Sequence, residues 1–168
     1  MLVSGNNLYA GTSAGLFYSG LKNSEDMSFS KGSFLPVANT DGQVWNLAEI
    51  NGQVLSGHHE GAFLIKDFRA TPIISKTGFW NFEAFSPVFP TERVLSGNYL
   101  GLTFLKFENN TFTEAESIPG FNETSRFLKI DKLVNIWVSH TYHGVYKLTE
   151  SDSGKYKTTH ITNKNGLP

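Results

Sequence analysis

Apolar runs separated by short polar loops and glycines recur four times along this chain. Each copy consists of an apolar strand, a small residue, a short loop, a glycine and a second apolar strand. The copies read NLYAGTSAGLF from residue 7, QVLSGHHEGAF from residue 53, RVLSGNYLGLT from residue 93 and NIWVSHTYHGVY from residue 135. The glycines that precede the second strand, Gly15, Gly61, Gly101 and Gly144, lie 40 to 46 residues apart from one copy to the next. A period in this range, with a β-hairpin in every unit, is typical of propeller blades.

Several of the predicted strands are apolar at nearly every position, as in Ala62–Ile65 and Leu102–Leu105. A sheet exposed to water on one face would alternate apolar and polar residues, so these sheets need cover on both faces. Sheets that pack radially around an axis have a neighbour on either side. No segment of useful length combines helical periodicity with capping residues. The sequence therefore predicts an all-β protein, a β-propeller of four-stranded antiparallel blades.

The 168 residues have room for about four blades in one domain. We place them at about residues 1–40, 41–77, 78–120 and 121–163, with 164–168 opening the next repeat. The four strands of a blade are lettered A to D in chain order, with A innermost. The first blade has almost no strand A and is expected to lack its inner strand. Because neither terminus supplies a strand that the other end lacks, we expect a fragment of a larger propeller with exposed sheet edges. The polar segment Leu21–Gly32 is predicted to be a loop.

Composition excludes several classes of function. The formal net charge is −1, so no excess of Lys and Arg is available for the phosphates of nucleic acid or for a membrane surface. The absence of cysteine excludes a disulfide scaffold and thiol chemistry. No apolar run approaches the roughly 20 residues of a transmembrane helix, so we expect no direct membrane insertion. No nucleophile with an adjacent base and no phosphate loop is visible, and we expect a non-catalytic protein without a cofactor.

The fourth copy resembles a known repeat. Residues 131–146 read DKLVNIWVSHTYHGVY and are similar to the two-component regulator propeller repeat, in which an Asp and a turn precede Gly-Asn-Ile-Trp-Ile-Gly-Thr and a later Gly-Gly-Leu-Tyr. The terminal sequence NGLP at 165–168 is similar to the opening of that repeat. The second and third copies depart from the pattern: Leu55 and Leu95 replace the tryptophan, and His58 and Asn98 replace the threonine.

The resemblance implies a sensor, or ligand-binding, module of a bacterial two-component-type regulator of transcription, located in the periplasm. In that family the propeller is joined to a triple-tyrosine module, and a histidine kinase or helix-turn-helix output lies beyond the membrane. The implied partners are a glycan or other small molecule, the rest of the propeller and the triple-tyrosine module. A second copy of the chain, in a homodimer, is a further expected partner. None of the kinase, helix-turn-helix or triple-tyrosine parts occurs in these 168 residues.

Strand A of each blade and the loop between strands B and C are the expected ligand face. In a propeller these loops open beside the central channel, which strand A lines. Aromatic rings beside hydrogen-bonding side chains suit a sugar, because its C–H faces stack on rings while its hydroxyls seek donors and acceptors. The candidates are His58, His59, Glu60, Asn98, Tyr99, His140, Tyr142, His143, Trp45 and Trp80. The alternatives are ordinary exposed loops for the loop residues and packing between blades for the two tryptophans.

Strand A carries a small motif of its own. It reads Trp-Asn-Leu at 45–47 and Trp-Asn-Phe at 80–82, with a weak echo in Ser-Arg-Phe at 125–127. Glu49 and Glu83 follow this motif in successive blades. They are the candidates for the paired carboxylates of the rival function, a propeller-type glycoside hydrolase or lyase.

Two further alternatives stay open. A protein-interaction scaffold would bind a protein partner and no small molecule. A zinc site would require neighbouring blades to bring imidazoles together, and the histidines show no fixed ligand spacing. We therefore expect no metal at His58, His59, His140 and His143.

Overall fold

The computed structural model describes residues 1–21, 33–85 and 90–167, and most of the predicted loop 21–32 lies outside these residues. In the described ranges, sixteen strands form four antiparallel sheets, each a meander in chain order. The first sheet contains β1 Leu2–Ser4, β2 Asn7–Thr12, β3 Gly15–Gly20 and β4 Leu35–Pro36; the second contains β5 Val44–Ile50, β6 Gln53–His58, β7 Gly61–Lys66 and β8 Arg69–Ile74. The third contains β9 Phe79–Ala84, β10 Arg93–Asn98, β11 Gly101–Glu108 and β12 Thr111–Ser117; the fourth contains β13 Phe127–Ile130, β14 Ile136–His140, β15 Gly144–Glu150 and β16 Tyr156–Ile161.

The sheets are arranged as successive blades. The first strands of consecutive sheets, β1 with β5, β5 with β9 and β9 with β13, lie against each other and form the inner side of the array. The last strands, such as β8 and β12, lie outermost in each meander. The prediction of an all-β propeller with four-stranded antiparallel blades is confirmed.

One hydrophobic cluster fills each space between consecutive blades. Neighbouring residues of one strand point into different clusters: Val54 packs towards the first blade, and Leu55 packs towards the third. In the third blade, Val94 packs towards the second blade and Leu95 towards the fourth. This two-sided burial explains why the strands are apolar at nearly every position. In the described part of the chain, each cluster joins consecutive blades, and none joins the first blade to the fourth.

The prediction that the first blade lacks its inner strand is wrong. Strand β1 pairs with β2 through Leu2 opposite Tyr9, Val3 opposite Leu8 and Ser4 opposite Asn7. Gly5, with φ of 55°, makes the tight turn between them. Three residues are too few to produce a recognisable apolar alternation, which is why the sequence pattern did not reveal this strand.

Asp131 organises the turn between β13 and β14. One of its carboxylate oxygens accepts the backbone N–H groups of Leu133 and Asn135, both at 2.9 Å. The other accepts the indole N–H of Trp137 at 2.8 Å and the amide of Asn135 at 2.9 Å. The Asp, Asn and Trp that carry the sequence resemblance therefore form one hydrogen-bond network. Hydrogen bonds from Trp137 and Asn135 lower the pKa of Asp131 to about 2.

We predict that the clusters between the blades carry much of the stability. Leu95 is fully buried between the third and fourth blades. Leu95→Ala should lower the free energy of unfolding by about 2–5 kcal/mol, because a cavity adds to the lost burial. Leu100→Ala, at a leucine that is 68% exposed, is the matched control and should have little effect. Urea unfolding measures both, and equal effects would contradict the arrangement.

We also predict an acid-sensitive contribution from Asp131. Its pKa in the folded protein lies below the ordinary value of 3.8, so its contribution is present above about pH 4. That contribution is lost as the pH falls from about 4 towards 2. Asp131→Asn should destabilise the protein at pH 7 and flatten this part of the stability profile, measured by thermal unfolding between pH 2 and pH 7. A variant profile parallel to that of the wild type would show that other carboxylates are responsible.

Candidate ligand-binding site

Trp45 and Trp80 occupy β-bulges on the innermost strands. Pairing of β5 with β6 shifts between Val44 and Asn46, which leaves Trp45 as the extra residue. Pairing of β9 with β10 shifts in the same way around Trp80. A bulge bends its strand and re-aims a side chain. The rings of Trp45 and Trp80 are 4.8 Å apart at 44°.

Arg126 occupies the corresponding place in the fourth blade. Phe127 pairs with Ser139 there, as Asn46 pairs with Gly57 and Asn81 with Gly97 in the second and third blades. Arg126 precedes Phe127 as the tryptophans precede the asparagines. The sequence match of Ser125 to the tryptophans is therefore displaced by one residue. The guanidinium of Arg126 lies 5.2 Å from the Trp80 ring.

These side chains line a groove of about 510 Å³ along β5, β9, β13 and the adjoining part of β14 and β15. All three tryptophans of the chain take part. The lining residues are Trp45, Asn46, Trp80, Asn81, Phe82, Glu83, Arg126, Phe127, Leu128, Lys129, Trp137, Val138, Ser139 and Val145. Aromatic and aliphatic surface with a few polar groups is the usual lining of a small-molecule site.

Tyr99 ties the two tryptophans of the inner strands to the B–C turns. Its hydroxyl oxygen accepts the indole N–H of Trp45 at 2.9 Å and lies 2.9 Å from Nδ1 of His59. Its ring lies 4.8 Å from that of Trp80. Because Trp45 donates to the oxygen, the hydroxyl proton is free to donate to His59. The structure thus brings together four of the predicted residues, Trp45, Trp80, Tyr99 and His59.

The polar side chains of the groove differ in whether they already form hydrogen bonds or ion pairs within the protein. Asn81 donates to the carbonyl of Arg126 at 2.7 Å and accepts the N–H of Gly97 at 3.1 Å. Glu83 forms an ion pair with Lys129 that links the third and fourth blades. Asn46 makes no side-chain hydrogen bond with the described residues. Its amide is available to a ligand.

Three predicted residues serve the B–C turns instead. His58, Asn98 and His140 occupy the position that Thr12 has in the first blade, and each accepts the N–H of the residue two positions further on. The pairs are Thr12 with Ala14 at 3.1 Å, His58 with Glu60 at 3.0 Å, Asn98 with Leu100 at 2.8 Å and His140 with Tyr142 at 3.1 Å. Any side chain with a suitably placed acceptor meets this need, which explains the departures from threonine. Burial lowers the pKa of His58, although Glu60 opposes the shift.

The remaining predicted residues lie outside the groove. His143 and His140 stack at 4.1 Å beside Glu123, whose carboxylate lies 3.1 Å from Nδ1 of His143 and 3.8 Å from Nε2 of His140. Tyr142 is 87% exposed, and Glu60 is exposed in its turn. The four histidines considered for zinc are not brought together, because His58 and His59 belong to a different blade from His140 and His143.

Glu123, His140 and His143 have the residue types of a metal site, but the hydrogen bonds argue against metal ligation by His140. Nδ1 of His140 accepts backbone N–H groups at 3.1 and 3.2 Å. A neutral ring therefore carries its proton on Nε2, which lies 3.8 Å from the carboxylate, and a protonated ring nitrogen has no lone pair for a metal ion. Desolvation would raise the pKa of Glu123, but hydrogen bonds from His143 and Tyr146 and the nearby imidazoles lower it.

Sequence reasoning missed Arg126, Lys129, Asn46 and Trp137 as groove residues. Arg126 aligns with Trp45 and Trp80 only when the blades are compared by strand register and the bulges at the two tryptophans are included. Of the two proposed catalytic carboxylates, Glu83 lines the groove and Glu49 does not.

Comparison with known proteins identifies the fold. No protein-family model and no curated protein sequence matches the chain. The WD40 propeller domain of Doa1 is 15% identical with a TM-score of 0.64, over 94% of this chain and 52% of that one. The likeness shows a β-propeller.

Two further neighbours are extracellular domains from B. thetaiotaomicron. That of BT4673, described as a one-component system, is 15% identical with a TM-score of 0.66, over 98% of this chain and 22% of its own. That of BT3049, described as a hybrid two-component system, is 16% identical with a TM-score of 0.59, over 96% of this chain and 21% of its own. The chain spans about a fifth of each of these proteins. BT3049 is thus described as a regulator of the two-component class that the sequence resemblance names.

Among the described residues, no helix is long and apolar enough to cross a bilayer.

We predict that Gly78 is required for the packing of Tyr99. A methyl group at Gly78 would lie 2.4 Å from Cζ of Tyr99 and 2.7 Å from the carbonyl oxygen of His59. Gly78→Ala should therefore displace Tyr99, release the Trp45 indole and cost about 1–3 kcal/mol of stability. Tryptophan emission should shift to longer wavelength. Gly20→Ala, where no atom lies within 4 Å of the added carbon, is the control. An unchanged spectrum in Gly78→Ala would contradict the network.

Proposed function

We propose that this chain is an extracytoplasmic ligand-binding propeller module of a bacterial two-component-type regulator, and that the tryptophan-lined groove takes a saccharide. The extracellular regulator domains among its structural neighbours support the first part. The groove supports the second, since all three tryptophans of the chain line one space of about 510 Å³. That observation carries the proposal.

The groove has the chemistry that a sugar requires. The indole rings of Trp45 and Trp80 offer faces for the C–H side of a sugar ring. The amide of Asn46 can both donate and accept, as a sugar hydroxyl requires. The Tyr99 network holds Trp45 in place before a ligand arrives, and this lowers the entropy cost of binding.

The described groove residues favour binding over catalysis. Glu83 is the one carboxylate among them, and it is paired with Lys129. Glycoside hydrolysis by the usual mechanism needs two carboxyl groups about 5 to 9.5 Å apart. In this proposal the groove binds a ligand without a cofactor, in the periplasm, and a triple-tyrosine module and output domain lie in the rest of the regulator. A ligand transmits a signal only if it binds two conformations of the regulator with different affinity.

We predict that Trp80→Ala weakens saccharide binding. The protein is titrated with a panel of neutral and acidic trisaccharides and followed by calorimetry. Affinity for any bound member should fall at least about tenfold in the variant, which corresponds to about 1.4 kcal/mol. Leu133→Ala, at a leucine exposed on the turn after β13, is the control and should bind normally.

Three results would contradict the proposal. Unchanged affinity in Trp80→Ala would place the ligand elsewhere. Release of new reducing ends from the bound saccharide would favour the rival function, a carbohydrate-active enzyme. A protein partner bound in the absence of any saccharide binding would favour an interaction scaffold.

A further inference from the structure

The inner wall of the groove is a ladder with one member from each of three blades. Trp45 comes from the second blade, Trp80 from the third and Arg126 from the fourth, all at equivalent places in the strand register. The Trp45 and Trp80 rings are 4.8 Å apart, and the Arg126 guanidinium lies 5.2 Å from the Trp80 ring. In the fourth blade a cation thus takes the place of an indole.

Among the described residues, Arg126 has no carboxylate partner. The groove lining carries two cations and one carboxylate, and that carboxylate, Glu83, is bound by Lys129. The charge of Arg126 is therefore uncompensated at a groove wall, although the chain as a whole has a formal net charge of −1.

Arg126 is exposed to solvent beside two aromatic rings. Its guanidinium carbon lies 5.2 Å from the centre of the Trp80 ring and 5.4 Å from that of the Phe127 ring. The N–H donors of a guanidinium lie in its plane, so they can pair with a ligand while the group stays beside the rings. The Asn81 amide fixes the backbone of Arg126 through its carbonyl, at 2.7 Å. The side chain is therefore placed to form a bidentate pair with a planar or tetrahedral oxyanion.

We propose that the ligand of this groove is an acidic saccharide whose carboxylate or sulfate binds Arg126 while a sugar ring stacks on the neighbouring tryptophans. The inference rests on the proposed function and deepens it by naming the class of ligand. An oxyanion at this place gains a charge-assisted pair, and the indole wall excludes water from one side of it. A neutral saccharide gains the stacking alone.

The test compares two trisaccharides that differ only at C6, which carries a carboxylate in one and a hydroxymethyl group in the other. Wild-type protein is titrated with α-1,4-linked trigalacturonate and with the neutral galactose trisaccharide of the same linkage, and tryptophan fluorescence is followed. A third arm uses the neutral trisaccharide bearing 6-sulfates, and a fourth uses triglutamate. We expect the acidic sugar, as uronate or sulfate, to bind at least tenfold more tightly than the neutral one.

Three variants test whether Arg126 causes the preference for the acidic sugar. Arg126→Gln should remove the preference for the acidic sugar and leave neutral binding within about twofold. Arg126→Lys should retain part of it, because a single charge remains without the bidentate fork. Lys132→Gln is the matched control, since it removes one exposed positive charge outside the groove. Thermal unfolding of each variant verifies that it is folded.

The outcomes separate the two proposals. Equal binding of acidic and neutral sugars, or a preference that survives in Arg126→Gln, overturns the acidic ligand and leaves the saccharide groove standing. Tighter binding of triglutamate than of any sugar overturns it in favour of an acidic peptide. A response to none of the probes counts against the groove itself and overturns both. The relative strength of the uronate and sulfate arms identifies the acidic group.

Discussion

Burial of both faces of each sheet against its neighbours is the constraint on which this molecule depends. A single four-stranded meander with apolar residues on both faces would expose them to water. Adjacent residues such as Val54 and Leu55 point into different clusters, so one strand contributes to two interfaces at once. Each fully buried aliphatic side chain contributes about 1.5–3 kcal/mol relative to an exposed one. The free energy of unfolding of such an array is close to the sum of the contributions of its blades and of the interfaces between them.

Because the clusters between the blades provide the core, the innermost strands can carry side chains that face the proposed groove. Each cluster draws residues from several strands of both blades that it joins, so local irregularities at Trp45 and Trp80 do not open the core. The bulges turn those indoles towards the groove. Side-chain acceptors such as Asn98 fix the B–C turns, and a fixed turn places Tyr99 against the tryptophans. The hydrogen bonds that fix the turn at Asn98 thereby also order the neighbouring residues of the proposed binding groove.

The blade period and the two-sided burial could be predicted from sequence because both follow from the spacing of apolar residues. Trp45 and Trp80 could be expected near each other because they occupy equivalent places in successive blades, and Tyr99 because its B–C turn lies at the same face. The role of Arg126 did not, because its position depends on bulges in two other blades, and a bulge leaves no mark in the apolar pattern. The turn function of His58 was hidden for a different reason. Threonine, asparagine and histidine differ in chemistry, yet each supplies the one acceptor that the turn requires.

The second, third and fourth blades all contribute to the groove, and this bears on how a bound ligand could act. Trp45 comes from the second blade, Trp80 from the third, and Arg126 and Trp137 from the fourth. The Glu83–Lys129 ion pair is an exposed link between the third and fourth blades, and pairs of that kind contribute little. A ligand that stacks on Trp80 and binds Arg126 would join the third and fourth blades more firmly than the ion pair does. Its affinity would then depend on their relative position, which is the differential binding that any sensor needs.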